Sequence, residues 1–201
     1  MDCETIVTYA KDIALVVSAG VASTVAIIGL GTWKKQISGK TEYDTARRLL
    51  KALYGYREAI STVRNPFIPV GEMPQPPEGH PFSTDDKRKY FYGIASAYEK
   101  RWSTVIEARI KLDSELLEAE VLWGSEFRKK FVELFKTGSK LFATLKLYLD
   151  SLNPEADVKL KYEFDVLYAS DEQTDKYATS LQDIIGGIEA FLRPYLNRKN
   201  K

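Results

Sequence analysis

The sequence predicts an all-α protein in which an N-terminal transmembrane helix precedes a cytosolic bundle of four to five helices, one of them long and heptad-bearing. Three observations lead to this prediction. An uncharged apolar stretch occupies residues 13–33, apolar residues recur at helical spacing along most of the remaining chain, and helix start and stop residues divide that remainder into segments.

The apolar stretch at 13–33 has the length of a membrane span. A helix of its 21 residues covers roughly 30 Å, the thickness of a bilayer hydrocarbon core. Nine of its residues are Val, Ile or Leu, and together they favour insertion by about 4 kcal/mol. A cleaved signal peptide needs a basic leader and a shorter apolar core, whereas residues 1–12 are acidic. A buried helix of a soluble protein is the remaining alternative.

The basic residues around the span predict its orientation. Lys11 is the only Lys or Arg before residue 13, whereas several follow residue 33, and cytoplasmic flanks carry the excess of such residues. We therefore expect residues 1–12 outside the membrane and residues 34–201 in the cytosol, with Trp33 at the headgroup level. The residues predicted to contact lipid headgroups are Lys34, Lys35, Lys40, Arg47 and Arg48.

Small residues lie four positions apart within the span, at Ser18, Ala22 and Ala26. This spacing lets two helix backbones approach closely in lipid, so it predicts a packing face for a homo-oligomer. The alternative is that small residues are simply common in membrane helices.

Breakers then delimit the first cytosolic segments. Ser38-Gly39 predicts a break after the span, and a helix is expected from 41 to 64, where Asn65-Pro66 ends it. Its predicted core stripe is Leu49, Leu53, Tyr56, Ile60 and Val63. Residues 65–82 contain six prolines and form a connector, which we expect to pack on the bundle through Phe67, Ile68, Val70 and Met73.

A long helix is expected next, capped by Ser83 or Thr84 and ending at Trp123. Its apolar residues alternate spacings of three and four, which is typical of coiled-coil packing. Arg109 is the one charged residue in this seam and is predicted to be a buried polar residue that fixes register; a ligand site is the alternative. The seam consists of Phe91, Ala95, Tyr98, Trp102, Val105, Arg109, Leu112, Leu116, Ala119 and Trp123.

The C-terminal third predicts further helices. Gly124-Ser125 starts a helix that buries Phe127, Phe131, Leu134, Leu141, Leu145 and Tyr148, and Asn153-Pro154 restarts the chain. Residues 158–168 fit a strand or a helix, and the helix is favoured because no second strand is available for pairing. Asp171 is expected to cap a last helix with an apolar face of Tyr177, Leu181, Ile184, Ile188, Phe191 and Tyr195.

The residues that usually perform chemistry are scarce. The chain has one cysteine and one histidine, which excludes an internal disulfide and the two-histidine metal motifs. Ser38-Gly39-Lys40-Thr41 imitates the end of a phosphate-binding loop, but Lys34 stands where the first glycine is required. The net charge of +1 provides no overall positive electrostatic field that would attract nucleic acid. We predict no catalytic residue, no metal site and no cofactor.

Three segments carry a resemblance. WKKQISGKTEYDTARRLLKALYGYREAISTVRNPFI at 33–68, RWSTVIEARIKLDSELLEAEVLWG at 101–124 and IEAFLRPYL at 188–196 resemble bacterial membrane-anchored proteins to which no activity is assigned. The resemblance covers about a third of the chain and implies a single-pass protein of the bacterial inner membrane with a helical cytosolic domain. It implies no activity and no cofactor.

The sequence thus favours a membrane-tethered interaction or scaffold protein, with the lipid bilayer and either its own copies or another protein as partners. Two alternatives stay open. One is an effector that perturbs the membrane in a bacterial stress or phage-defence system. The other is an enzyme that works without His or Cys.

Overall fold

The computed structural model describes residues 3–156, 161–169 and 174–197, and within residues 3–20 it describes the side chains of 15, 17, 18 and 20. Every regular element in these ranges is helical, so the all-α prediction is confirmed. The α-helices are α1 (Cys3–Arg64), α2 (Asp86–Trp123), α3 (Ser125–Lys129), α4 (Val132–Leu152), α5 (Phe164–Leu167) and α6 (Lys176–Leu196).

The chain divides into two compact units, Met1–Asp44 and Thr45–Lys201, and α1 contributes to both. In the first unit the described part of α1 is exposed at nearly every position. Among the described residues, no helix has an apolar stretch of the length and hydropathy that a bilayer crossing requires. The predicted transmembrane helix is therefore not confirmed, and residues 13, 14, 16 and 19 of that segment have side chains outside the described ones.

The predicted break at Ser38-Gly39 is wrong, because α1 continues through it. One helical glycine costs only about 1 kcal/mol relative to alanine, which the surrounding turns can offset. The Thr41 hydroxyl donates to Ile37 O at 3.0 Å, so it bonds within the helix instead of starting a new one. The predicted end at Arg64, just before Asn65-Pro66, is confirmed.

The second unit is a helical bundle around one hydrophobic core. All five predicted core residues of α1 are buried there: Leu49, Leu53, Tyr56, Ile60 and Val63. The connector at 65–82 is irregular apart from two short 3₁₀ turns, Val70–Glu72 and Pro81–Ser83. Ile68 and Met73 pack against the core as expected, whereas Phe67 and Val70 are exposed, which corrects that part of the prediction.

Helix α2 ends as predicted at Trp123, before Gly124 with its positive φ of 79°. Its cap is Asp85, whose carboxylate accepts from Lys87 N and Arg88 N, and not Ser83 or Thr84. Five members of the predicted seam are buried, namely Tyr98, Val105, Leu112, Leu116 and Ala119. The buried face of α2 also includes Ile94 and Arg101. The prediction placed Trp102 in the seam, whereas the helix buries its charged neighbour Arg101 more fully and leaves Trp102 partly buried.

The later helices are shorter than expected. The predicted helix after Gly124 is divided into α3 and α4, although Phe127, Phe131, Leu134, Leu141 and Leu145 are all buried. The helix favoured at 158–168 is confined to α5, and residues 157–160 lie outside the described ones. Helix α6 starts after Asp175, which caps it, while the predicted cap Asp171 lies outside the described residues.

Candidate functional site

The residues predicted to face a membrane all lie on α1. Ser18, Ala22 and Ala26 are exposed and stand on one side of the helix, because residues four apart share a face. The Ser18 hydroxyl donates to Leu15 O at 3.0 Å. The described structure does not test self-association through this face, so that role stays a prediction.

All five predicted headgroup contacts have exposed side chains: Lys34, Lys35, Lys40, Arg47 and Arg48. Arg48 differs, because its Nε donates to Glu115 at 3.0 Å and its Nη2 donates to Glu118. The hydrogen bonds from Glu118 and then Glu115 raise the pKa of Arg48 above its ordinary value. Arg48 thus connects α1 to α2 inside the bundle unit, which makes it the weakest candidate for a lipid contact.

Arg109 is not the buried polar residue that the sequence predicts. Its side chain is 35% exposed, its Nε donates to Asp113 at 2.7 Å, and its Cζ lies 3.1 Å from the centre of the Phe135 ring. The buried face of α2 includes Arg101 and Ala108, each one position before the predicted seam residues Trp102 and Arg109. Arg109 therefore lies at the edge of the core. It can still pack by a cation–π contact, but it is too exposed to fix register.

Among the residues that the structure describes, the buried arginines are Arg64 and Arg101, which sequence reasoning missed. Arg64 is the last residue of α1, and its guanidinium reaches the start of α6. Nη1 and Nη2 donate to the two carboxylate oxygens of Asp175, each at 2.9 Å, and Cζ lies 4.4 Å from the centre of the Tyr177 ring. Arg64 also donates to three backbone oxygens at 2.9 Å, those of Asp165, Val166 and Tyr168.

Arg101 performs a similar task from α2. Its Nη1 donates to Thr62 O at 3.2 Å and Asn65 O at 2.8 Å, and its Nη2 donates to Phe67 O at 2.8 Å. These carbonyls lie at and just beyond the C-terminus of α1, where helix carbonyls lack intrahelical partners. Nε donates to Glu72 at 2.7 Å, and this bond holds the pKa of Glu72 below its ordinary value.

Both arginines therefore stabilise the structure and do not offer a ligand site. All three nitrogens of each guanidinium already donate to protein oxygens. Burying an arginine is tolerated when its charge and its donors are satisfied in this way. The sequence signal was indirect: the proline-rich connector has an irregular backbone whose carbonyl groups need donors, and Arg101 donates to two of them, those of Asn65 and Phe67.

A shallow groove of about 210 Å³ lies between α2 and α4. Trp102 and Phe142 form one wall with ring centroids 4.8 Å apart, and Tyr56 closes the floor. A Cβ on Gly138 would stand 2.1 Å from the Tyr56 hydroxyl, so any larger residue here requires the Tyr56 side chain to shift. The groove is smaller than a typical small-molecule pocket, and its one cation, Arg109, is already paired with Asp113.

A cluster of tyrosines surrounds Tyr148 of α4. The Tyr148 ring lies 5.9 Å from Tyr98, 5.2 Å from Tyr162 and 5.8 Å from Tyr168, all near perpendicular. Burial raises the pKa of Tyr148 and of Tyr168 far above the ordinary value. These hydroxyls are therefore neutral at physiological pH, and the cluster acts as core.

Among the described residues, no group of three or more His, Cys, Asp or Glu side chains could hold a metal ion. Comparison with known proteins gives no match to a family model, a curated protein or a solved structure. A functional proposal for this chain therefore rests on its own residues, and the most unusual of them are the exposed apolar side chains of α1.

Proposed function

We propose that the chain is a membrane-tethered helical interaction protein, anchored by residues 13–33. One observation carries the proposal: the large apolar side chains described within residues 13–33 are 58% to 71% exposed, although water is a poor solvent for them. They are Leu15, Val17, Val21, Val25, Ile27, Ile28, Leu30 and Trp33.

The exposed side chains surround the helix and do not form a stripe. Ile27 and Ile28 are adjacent, so they point about 100° apart, and Val25 and Leu30 point in further directions. An amphipathic helix would present one apolar face to the partner that covers it, whereas a helix that is apolar all round suits an apolar surrounding. A bilayer is the simplest such surrounding.

The polar side chains of this segment suit lipid as well. The Thr24 hydroxyl donates to Gly20 O and the Thr32 hydroxyl to Ile28 O, both at 2.9 Å, in the same manner as Ser18. A hydroxyl that bonds to its own helix leaves no donor to be satisfied by water. These residues therefore lower the cost of insertion without any help from a neighbouring helix.

The flanks support one orientation. Lys34, Lys35, Lys40 and Arg47 follow the segment with exposed side chains and can reach anionic headgroups. We therefore propose the inner membrane of a bacterium as the location, with residues 1–12 outside and the bundle inside. Ser18, Ala22 and Ala26 would face a second copy within the bilayer.

Extraction of membranes at alkaline pH tests the anchor. The wild-type chain should remain in the membrane pellet, and Val25→Lys should move it largely to the supernatant. A lysine near the middle of a span costs about 2.5–3.5 kcal/mol, most of the roughly 4 kcal/mol that favours insertion. Val70→Lys is the matched control, because Val70 is 80% exposed and lies outside α1. Wild-type protein in the supernatant would refute the anchor.

A second measurement separates tethering from membrane damage. Expression of the wild-type chain should leave growth and membrane potential unchanged if the protein only tethers and binds. Depolarisation that Val25→Lys abolishes would instead establish the membrane-perturbing effector.

A further inference from the structure

The last turn of α2 lies at the end of the bundle where the chain enters it. The bundle unit begins at Thr45, and Arg48, one turn later, pairs with Glu115 and Glu118 near the C-terminus of α2. The C-terminus of α6 lies at the same end, because the centres of the Tyr195 and Trp123 rings are 4.9 Å apart. We call this end of the bundle, formed by residues 45–51, 115–130 and 189–197, the entry end.

The entry end exposes large apolar side chains. Leu117, Val121 and Leu122 are 58%, 85% and 38% exposed, and Val121 is the most exposed large apolar side chain that the structure describes. Trp123 and Tyr195 lie partly buried in the same region, and both residue types favour the headgroup level of a bilayer. Exposure alone fits several partners, so charge and position must identify the one that covers these residues.

The charges of the entry end favour an anionic surface. It has seven Lys or Arg residues against five Glu residues, so its net charge is positive. Arg198, Lys199 and Lys201 follow α6 in the sequence and add to this excess. Each acidic side chain of the entry end already lies in an ion pair within the chain: Glu115 and Glu118 with Arg48, Glu120 with Arg128, Glu126 with Lys129, and Glu189 with Arg193. Basic residues beside exposed apolar ones are typical of a surface that binds anionic lipid.

The proposed anchor keeps the entry end within reach of a bilayer. Residues 34–44 alone separate residue 33 from Thr45, and these eleven residues span at most about 40 Å when fully extended. The other end of the bundle, at Arg64, lies roughly 30 Å further along α1. A tethered surface meets its partner at a high effective concentration, so a contact too small to hold a free protein is sufficient here.

We propose that the entry end docks on the surface of an anionic phospholipid bilayer, with Val121 and Leu122 at the depth of the headgroups. This inference rests on the proposed membrane anchor and extends it, because it gives the bundle a lipid contact of its own. Zwitterionic lipid offers no net charge to the cations of the entry end, so the contact should require anionic lipid. It should also weaken in high salt, which screens exposed charges.

Quenching of a fluorophore by nitroxide-labelled lipid headgroups tests the contact. We would reconstitute the full-length protein, with Cys3→Ser removing the native thiol, into vesicles of mixed phosphatidylglycerol and phosphatidylcholine. A dye on Val121→Cys should be quenched roughly threefold more than the same dye on Val70→Cys, and this excess should disappear in pure phosphatidylcholine. Val70 is the matched control, because it is 80% exposed and lies in the connector that Arg101 fastens to the C-terminus of α1.

A charge reversal tests the electrostatic part. Lys130→Glu combined with Arg193→Glu should remove most of the excess quenching at residue 121, whereas Lys87→Glu, in the first turn of α2, should leave it unchanged. All three side chains are exposed, and near-ultraviolet circular dichroism checks that the variants fold. Equal quenching at residues 121 and 70 overturns the inference, as does equal quenching at residue 121 in both lipids. A blue-shifted but unquenched dye at residue 121 also overturns it, because a protein would then cover this residue.

The anchor has a readout of its own in the same vesicles. A dye on Ile27→Cys should be quenched by nitroxides placed on the lipid acyl chains, because residue 27 lies within the proposed span. Quenching at residue 27 without quenching at residue 121 would refute the docking alone. Absence of quenching at residue 27 would refute the anchor, and the docking with it.

Discussion

The ion pair between Arg64 and Asp175 is the contact whose loss should cost the bundle most. The two side chains are 5% and 3% exposed, and the pair joins the end of α1 to the start of α6. Arg64→Ala leaves the Asp175 carboxylate buried without its partner and removes the donors to three backbone oxygens. Breaking a buried pair typically costs 3–5 kcal/mol, so we expect about 4 kcal/mol less free energy of unfolding.

Urea unfolding of full-length protein in detergent, followed by near-ultraviolet circular dichroism, measures this loss. Thermal unfolding of the same protein gives a second measure: at about 2–4 °C per kcal/mol for a chain of this size, the melting temperature should fall by roughly 8–16 °C. Lys136→Ala is the matched control, because Lys136 and Glu133 are 67% and 65% exposed, and a surface pair contributes about 0–1 kcal/mol.

Asp175→Asn separates the charge from the cap. The amide oxygen can still accept from Ala178 N, as Asp175 does at 2.8 Å, while the negative charge is lost. This variant should be less stable than wild type, and combining it with Arg64→Ala should cost less than the sum of the two changes. Additive effects, or a loss below about 1 kcal/mol for Arg64→Ala, would refute a coupled buried pair.

Two other predictions follow from the core. Gly138→Ala should lower the free energy of unfolding by about 1–3 kcal/mol, because its methyl group overlaps the Tyr56 hydroxyl, and adding Tyr56→Phe should restore part of that loss. The control is Gly187→Ala, which should raise the free energy of unfolding by about 0.5–1 kcal/mol because no atom lies within 4 Å of the added Cβ. A Gly138→Ala chain as stable as wild type in denaturant unfolding would contradict this packing. Burial raises the pKa values of Tyr148, Tyr168 and Tyr177, which favours the folded state fully below pH of about 10 and progressively less above it. Ultraviolet titration should therefore show at least three tyrosines that ionise only on alkaline unfolding, and a full titration near pH of about 10 without unfolding would exclude their burial.

The apolar core could largely be predicted from the sequence. The stripe of α1 was correct at all five positions, because a 3.6-residue period leaves little freedom once a helix is assigned. Helix ends set by proline or by a positive-φ glycine, Arg64 and Gly124, were also correct, since local sterics determine them.

The predictions failed where a polar side chain competed with an apolar neighbour. The choice between Arg101 and Trp102 depends on the carbonyls of the connector at 65–82, which pattern reasoning cannot place. The same holds for Arg109, which was expected in the core because its spacing fits the seam. The uninterrupted helix across Gly39 shows a second limit. A single glycine disfavours a helix only weakly, and the sequence pattern does not show whether the helix propensity of its neighbours is large enough to offset that cost.

The exposed apolar residues were only partly predictable. The apolar segment of α1 was predicted from composition, whereas the exposed apolar residues of α2 were not, because Ile106, Ile110, Leu117 and Val121 stand among apolar residues that are buried. Only the fold separates the covered face from the uncovered one.

Labelling of Cys3 with a membrane-impermeant thiol reagent tests the central claim, a single crossing with the N-terminus outside. Cys3 is the only cysteine, so a Cys3→Ser chain that carries Lys111→Cys reports on the bundle alone. In intact spheroplasts we expect Cys3 to react at once and the residue-111 thiol to react only after lysis. Equal labelling of both positions, either before or only after lysis, would contradict a membrane-crossing anchor.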